Sequence, residues 1–558
     1  MKQTILLFLM LVCLHRIEAQ TMNTKWVLPK SSSPAKATFY RALGILNKEI
    51  VFAYAKQQKD NMETVFQKKL YQDKFSLEFY HAISLKKGKV YTMDMAVKKK
   101  KSVDTDLVGI YLFTNRIAVF YQETEKKHDS RKLLMDFIDP ATGEWLDEEK
   151  VIFEETINKI VITGSSFFLH EIPSDKSVVV FAIHKKKEKN PKATIIHFDT
   201  NGEIAHQLDE VEFLSYNPST KYVFPIYEEK YIDIHDNKLY LQTFIKNMRN
   251  NYNQHENYLS EFNLDSKEIN YYTLSTEKRM SGNFVAKFDA KNHLLHFASL
   301  YSDKTSSKIN GSSLFTLNTQ TSSTINNQFN PFSSEQCSIM SPKKDKKEET
   351  KDYVEEIFVR DLILKENGGF IFLLEYLFEY GISTSTGAAG SSQVSNNGVR
   401  EYKDIYLLNL DAKGEIEKIQ KIARLNEVWQ HSYKLLHAST GFILGASTNK
   451  SFTTFKENNK LAIVFFDLAG NTSIKRDELG VTKQPVIESK RKDEPKLSPT
   501  MVVYNLESDQ FEKRVNLNKQ AWKNFFNNPE HIWNFEQGHL ILNVNTDYQL
   551  IGRMSLTF

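Results

Sequence analysis

One short pattern recurs along this chain and limits what it can fold into. A run of alternating apolar residues ends in Asp or Asn, a polar turn follows, and a more polar strand leads away. The clearest copies are Ile405-Tyr406-Leu407-Leu408-Asn409-Leu410-Asp411-Ala412-Lys413-Gly414-Glu415-Ile416 and Thr194-Ile195-Ile196-His197-Phe198-Asp199-Thr200-Asn201-Gly202-Glu203-Ile204. Weaker copies start near Asp139, Asn263, Asn318, Asp467 and Asn505. Period-two alternation marks a β-strand, and Asp, Asn and Gly are the residues that tight turns require. Repetition of such a hairpin means arrayed β-units, each too small to bury its own apolar surface.

Taking Asp139, Asp199, Asn263, Asn318, Asn409 and Asp467 as turn-openers gives separations of 60, 64, 55, 91 and 58 residues, the long one containing an insertion at 381–400. Further strands read by alternation at 49–54, 107–113, 116–121, 177–183, 238–244, 293–300, 369–374 and 441–446. The unit is therefore about four strands, with its most regular turn between the third and the fourth. A four-stranded sheet cannot cover both of its faces, but sheets packed radially can, and closing the ring leaves only short edges.

On these residues the chain resembles a β-propeller over roughly 25–558. The stretch Gly368-Gly369-Phe370-Ile371-Phe372-Leu373-Leu374-Glu375, followed by Lys403-Asp404-Ile405-Tyr406-Leu407-Leu408-Asn409-Leu410-Asp411, looks like blades of exported bacterial propellers. The resemblance implies an all-β fold and one propeller domain over 20–558. Seven blades are expected, with six or eight fitting the same spacing. The strands at 539–544 and 550–558 make half a sheet, so N-terminal strands are expected to complete it and close the ring. The resemblance carries no catalytic residues with it.

The N-terminus reads as an export signal. Lys2 precedes an apolar stretch over 5–14, and Ile17-Glu18-Ala19 offers a small residue before a cut, which predicts cleavage after Ala19. The stretch is shorter than the about 20 residues that span a bilayer. A buried N-terminal strand or helix and lipidation at Cys13 are the alternatives, the second fitted poorly by Val12 and Leu14-His15-Arg16. Past Ala19 only Cys337 remains, so no internal disulfide can form and the core must supply the stability. The formal charge of +4 is close to balanced for this length, which excludes a dedicated nucleic-acid binder with a concentrated basic field. The basic runs at 98–101, 185–187 and 343–347 read as solvated strand edges.

No catalytic pattern stands out, and no catalytic, cofactor or metal residues are assigned. His170-Glu171 and His255-Glu256 lack the second histidine of a zincin helix, and His431 with His437 would need a third ligand. Asp199 to Glu203 and Asp411 to Glu415 cluster oxygen donors, but turn geometry explains them without calcium. Cys337 has no base nearby in sequence. The insertions at 341–351, 381–400 and 479–499 are expected to protrude as loops, and the partner-binding candidates are Tyr380, Arg400, Tyr402 and Arg491. The reading that fits is an exported, non-catalytic platform for protein or glycan, or a subunit of a cell-envelope or surface assembly. It would lie in the periplasm, on the outer-membrane surface or outside the cell. Its partner would be an envelope or surface protein, or a polysaccharide, with no nucleic acid and no transmembrane segment. The alternative is a hydrolase or lyase acting on carbohydrate or peptide at the axial opening, with acids drawn from different blades.

Overall fold

The computed structural model describes residues 23–27, 37–46, 49–57, 75–84, 90–94, 104–125, 130–139, 145–146, 148–156, 167–184, 192–212, 231–247, 254–274, 279–303, 308–341, 352–386, 393–424, 426–430, 452–468, 497–516, 531–535, 539–545 and 549–555. The expected signal at 1–19 and the strand expected at 441–446 lie outside them, as do most of 341–351 and 479–499. Among the described residues the chain makes eight antiparallel sheets of at least four strands, formed in succession. They are sheet I (37–94), II (104–156), III (167–212), IV (232–273), V (280–331), VI (357–422), VII (452–516) and VIII (531–555 with 23–27). Sheets I to VI belong to one compact unit and sheets VII and VIII to another.

Sheet III shows why these residues form these strands. Its second strand, Val178–Ile183, is buried at every position, and its third, Lys192–Phe198, at all but the first. Its fourth, Ile204–Glu212, is largely exposed and mostly polar. A strand covered on both faces needs an unbroken apolar run, and an edge strand needs the opposite. Alternate residues serve different cores. Val178, Val180 and Ala182 pack with Phe120 and Phe137 of sheet II, while Val179, Phe181 and Ile183 pack with Leu239 and Phe262 of sheet IV. The pattern continues in Tyr240, Leu259, Phe297 and Phe315 between sheets IV and V, and in Leu314, Phe372 and Leu408 between V and VI. First strands lie beside first strands: Ala37–Leu46 by Asp104–Leu112, Asp104–Leu112 by Phe167–Glu171, and Met280–Asp289 by Ile357–Leu364. This is blade-on-blade packing, and the chain is an all-β protein of β-propeller type.

The repeated turn owes its regularity to one side chain. Asp199 Oδ1 accepts the backbone N–H of Asn201 at 2.9 Å and of Glu203 at 3.0 Å. Asp411 Oδ1 does the same for Lys413 and Glu415 at 2.9 and 2.8 Å. Gly202 and Gly414 then take φ of +82° and +89°, a region that glycine enters without a Cβ penalty. Asn263 and Asn505 cap the equivalent turns of sheets IV and VII. Some burial opposes charge on the Asp199 carboxylate, but the N–H donors outweigh it and hold its pKa below the usual range.

Three expectations need correction. Among the described residues there are eight sheets, where seven blades were expected and eight fitted the same spacing, because 37–94 supplies four paired strands of its own. Asp467 does not open the third-to-fourth turn of its sheet. It ends the second strand of sheet VII, fully buried and ion-paired with Arg514, and Asn505 opens the third-to-fourth turn. The C-terminal segment gives three strands to sheet VIII, not two. The N-terminal strand Asn23–Val27 does supply the fourth, pairing antiparallel with Gln549–Ser555.

The turn glycines give a testable contrast. A Cβ on Gly414 would lie 2.6 Å from Leu314 Cδ2 of the preceding sheet, whereas one on Gly368 would meet nothing closer than 3.6 Å. Both have positive φ. Gly368→Ala is expected to cost about 1 kcal/mol in backbone strain alone, and Gly414→Ala about 2 to 3 kcal/mol through strain and overpacking. Urea midpoints at unchanged m-value measure both.

Candidate functional site

The two ends of each meander are put to different uses. At one end, first-to-second and third-to-fourth turns are short and grip the next sheet. Thr114 N and Oγ1 donate to Thr200 O at 2.8 and 2.9 Å. Arg116 donates to Asn201 O and Glu203. Lys238 Nζ donates to Thr319 O at 2.6 Å and Ser322 Oγ at 2.7 Å. Asn326 Nδ2 reaches Lys413 O at 2.9 Å. The oxygen donors once weighed for calcium are engaged here: Glu203 pairs with Arg116 and Lys150, which hold its carboxyl below the usual range. The opposite end of sheets I to VI emits the second-to-third and fourth-to-first connections, among them those at 157–166, 213–230 and 342–351. An antiparallel meander forces both kinds to leave together.

Sheet VI differs at that end. Its second and third strands, Phe370–Thr386 and Gln393–Leu410, run on past their neighbours. The first strand pairs with the second only as far as Ile357–Tyr376. Beyond it the two long strands stay in register from Leu377–Tyr402 to Thr386–Gln393. At about 3.3 Å per residue that ribbon spans about 30 Å. The insertion at 381–400 is thus for the most part a paired hairpin arm rather than an open loop. It was not legible as strand because Ser, Thr, Gly and Asn occupy both faces and leave no alternation.

The arm brings together three of the four candidate residues. Tyr380 is opposite Val399, Arg400 opposite Glu379, and Tyr402 opposite Leu377. Alternation puts positions 400 and 402 on one face of the ribbon and position 380 on the other. Arg491 lies outside the described residues. What sequence reasoning missed is the base of the arm. Arg360 Nε donates to Glu375 Oε2 at 2.5 Å across the first two strands, with both side chains buried. Lys421 Nζ meets Asp404 Oδ2 at 2.8 Å across the last two, again buried. Tyr376 donates its hydroxyl to Glu356, and Tyr406 to Asp404 at 3.5 Å. Burial first, then Asp404, lifts the Tyr406 phenol far above its usual range, so it stays a donor. Every strand of the blade is tied to a neighbour by charge where the ribbon departs.

Other reactive groups serve the packing. Cys337 lies on the short helix α1 (Ser334–Met340), opened by a Ser333–Gln336 capping box, and is buried between sheets V and VI. Burial pushes its thiol up to about 11, so it remains protonated. His293 Nδ1 meets Asp236 Oδ1 at 3.0 Å, but Thr319 Oγ1 bonds to Asp236 and to His293 O, not to the imidazole, and is fully buried, so the three do not form a nucleophile open to substrate. His170 and Glu171 sit on the first strand of sheet III, with His170 edge-on to Phe181 and Glu171 3.7 Å from Lys176. His431 and His437 lie outside the described residues. No helix among the described residues is long and apolar enough to cross a membrane.

No protein-family model and no curated protein matches this chain. Solved structures with some likeness include the WD40 domain of SCAP from fission yeast, at 8% identity over 96% of this chain and 98% of that one, TM-score 0.35. Polysaccharide lyase Uly1 matches at 6% identity over 96% and 99%, TM-score 0.34. The β-propeller domain of the Trilobed protease from Pyrococcus furiosus, which has an open velcro topology, matches at 11% over 72% and 97%, TM-score 0.30. Scores this low carry no argument, and the fold rests on the pairing and packing above.

Two outcomes test the site's foundations. Arg360→Leu leaves Glu375 charged and buried without its partner and is expected to cost about 3 to 5 kcal/mol, while Arg360→Leu with Glu375→Leu recovers most of it, read by urea unfolding at pH 7. His296 is the second case. It bonds Thr316 Oγ1 at 2.9 Å, packs against Phe370, and is held neutral by burial, its pKa lowered to about 4 despite Asp289. The folded state binds fewer protons than the unfolded one between the two pKa values, so stability falls as pH drops from about 6.5 to about 4, by up to about 3 kcal/mol. His296→Gln should flatten that part of the curve.

Proposed function

We propose that the protein is exported and acts as a non-catalytic binding platform, docking a protein of the cell envelope or surface through the hairpin arm of sheet VI. The observation that carries this reading is the arm itself: a paired ribbon continuing about 30 Å beyond its blade, from a base tied by two buried ion pairs. From Gly381 to Gly398 the sequence has no Asp, Glu, Lys or Arg. Natural sheet edges use charge, proline or bulges to refuse new strands. The strand Asn426–Gln430 pairs with Gln393–Leu410, which leaves the Phe370–Thr386 side of the ribbon to gain from a further strand. Strand addition by an extended segment of the partner fits both facts, with side chains along the ribbon supplying specificity. The pattern of Lys2, the apolar stretch at 5–14 and Ala19 supports export, to the periplasm, the outer-membrane surface or outside.

Replacing 379–400 by Asn-Gly closes the hairpin at the blade and leaves Arg360, Glu375, Asp404 and Lys421 in place. The expected result is a cooperative unfolding transition within a few degrees of the parent, together with loss of the protein recovered alongside the parent from envelope fractions. Equal recovery of that partner by both proteins overturns the reading. N-terminal sequencing of the exported form should start at Gln20.

A further inference from the structure

Sheet III holds a pair of histidines that neither the turns nor the arm require. His197 on the third strand and His206 on the fourth are cross-strand partners. Their rings stack with centroids 5.4 Å apart and planes 3° from parallel, and the two Nδ1 atoms are 3.2 Å apart. His197 Nε2 is 2.9 Å from Ser177 Oγ, and His206 Nε2 is 3.8 Å from Asp265 Oδ1 on the third-to-fourth turn of sheet IV. The serine–imidazole contact resembles a nucleophile and its base. Ser177 is only 1% exposed, however, so no substrate can approach it.

With a carboxylate facing His206 Nε2, the tautomer that keeps the proton on that nitrogen sets the direction of the chain. Ser177 donates to His197 Nε2, His197 donates from Nδ1 to His206 Nδ1, and His206 presents its Nε2–H to Asp265. Each ring uses both nitrogens. A first proton fits at His197 Nε2, because the Ser177 hydroxyl can reverse to accept, but a second one sets Nδ1–H against Nδ1–H and breaks the link between the rings.

We propose that His197 and His206 form an acid-opened latch that holds the outer strand of sheet III to its third strand and to the turn of sheet IV. With both rings charged, the Nδ1 contact becomes donor against donor, and two like charges face each other across a stack. Burial is the largest influence on His197, and the charges that face it belong to sheet III itself. Asp175 on the first-to-second turn and Asp199 on the third-to-fourth turn favour its charged form, His206 opposes it, and burial opposes it more strongly than any of them. The net result lowers the His197 pKa, so the latch is closed near neutral pH and opens as pH falls below the ordinary histidine range. His206 is part-exposed beside the exposed Asp265. What opens is the strand Ile204–Glu212, already the wet edge of the blade.

Hydrogen–deuterium exchange on the full chain at pH 7.5 and 5.0, corrected for intrinsic rates, tests this. Peptides covering 204–212 should lose at least tenfold protection on acidification, while those covering 370–377 change less than twofold. His206→Gln keeps a polar partner without a titrating charge and should reduce the loss at 204–212 to under twofold. A loss in that variant equal to the parent's, or no loss in the parent, overturns the proposal. Should the variant fail to fold, imidazole titration of the parent by NMR decides: coupled steps for the two rings support the latch, and two independent ordinary titrations overturn it.

Discussion

Double-sided burial of the middle strands is the constraint on which the rest depends. Along Val178–Ile183 successive side chains enter two different cores, one shared with sheet II and one with sheet IV. At roughly 25 cal/mol per Å² of apolar surface, a strand of this kind left with one face in water forfeits about half of its stabilisation. No single sheet can therefore stand alone, and adding a neighbour only moves the uncovered face outward. The array has to be long. The polar fourth strands follow from the same argument, since they lie where burial ends.

Stacking by apolar contact fixes distance but not order, because one Val-rich strand packs on another in many registers. The polar contacts at the short-turn end set the order. Each crosses from one sheet to the next: Thr114 to Thr200, Arg116 to Asn201, Lys238 to Thr319, Asn326 to Lys413. Many use the same acceptors, the carbonyls that an Asx-capped turn points outward. That end has few groups left for recognition. The other end carries cross-sheet contacts too, Arg131 to Ile183 and His184 to Glu155 among them, and there sheet VI extends its arm. A buried ion pair is a poor way to add stability, because desolvation cancels most of the attraction. Its value at the arm's base is geometric: Arg360 with Glu375 and Lys421 with Asp404 permit one register across four strands.

What could be read in the sequence was whatever is local. The Asp199 and Asp411 turns were legible because the capping carboxylate and the N–H groups it accepts are within four residues. The strands before those turns were legible because one blade after another repeats them. Sheet I showed its second strand at 49–54 but not its closing turn, because the third-to-fourth connection at 85–89 carries no Asp or Asn. Asp467 was misread because nothing local distinguishes a carboxylate that caps a turn from one that meets Arg514, 47 residues on. The arm hid for the opposite reason: its strands have no apolar face, and only register reveals them. The ion pairs at its base join residues on separate strands, which no local pattern connects. The His197–His206 pair falls between these cases. A β-bulge between His197 and Phe198 puts His206 opposite His197; a regular hairpin register continued from Phe198–Ile204 would put Ala205 there, so the sequence alone would have missed the pair.

Burial alone does not make a histidine sensitive to acid in a useful way. His235, His296 and His197 are all buried and all held below their ordinary pKa. His235 stacks on Phe288 at 3.8 Å with its Nε2 2.6 Å from the Tyr231 hydroxyl, and His296 is bound by Thr316 and Phe370. Hydroxyl partners can reverse from donor to acceptor when the ring gains a proton, and a phenyl face tolerates a cation. Acid costs these sites stability gradually, spread over the whole fold. An imidazole facing another imidazole has no such freedom, because once both rings are charged neither can accept. That difference in partner, and not in burial, confines the effect of a proton at His197 and His206 to one strand pair.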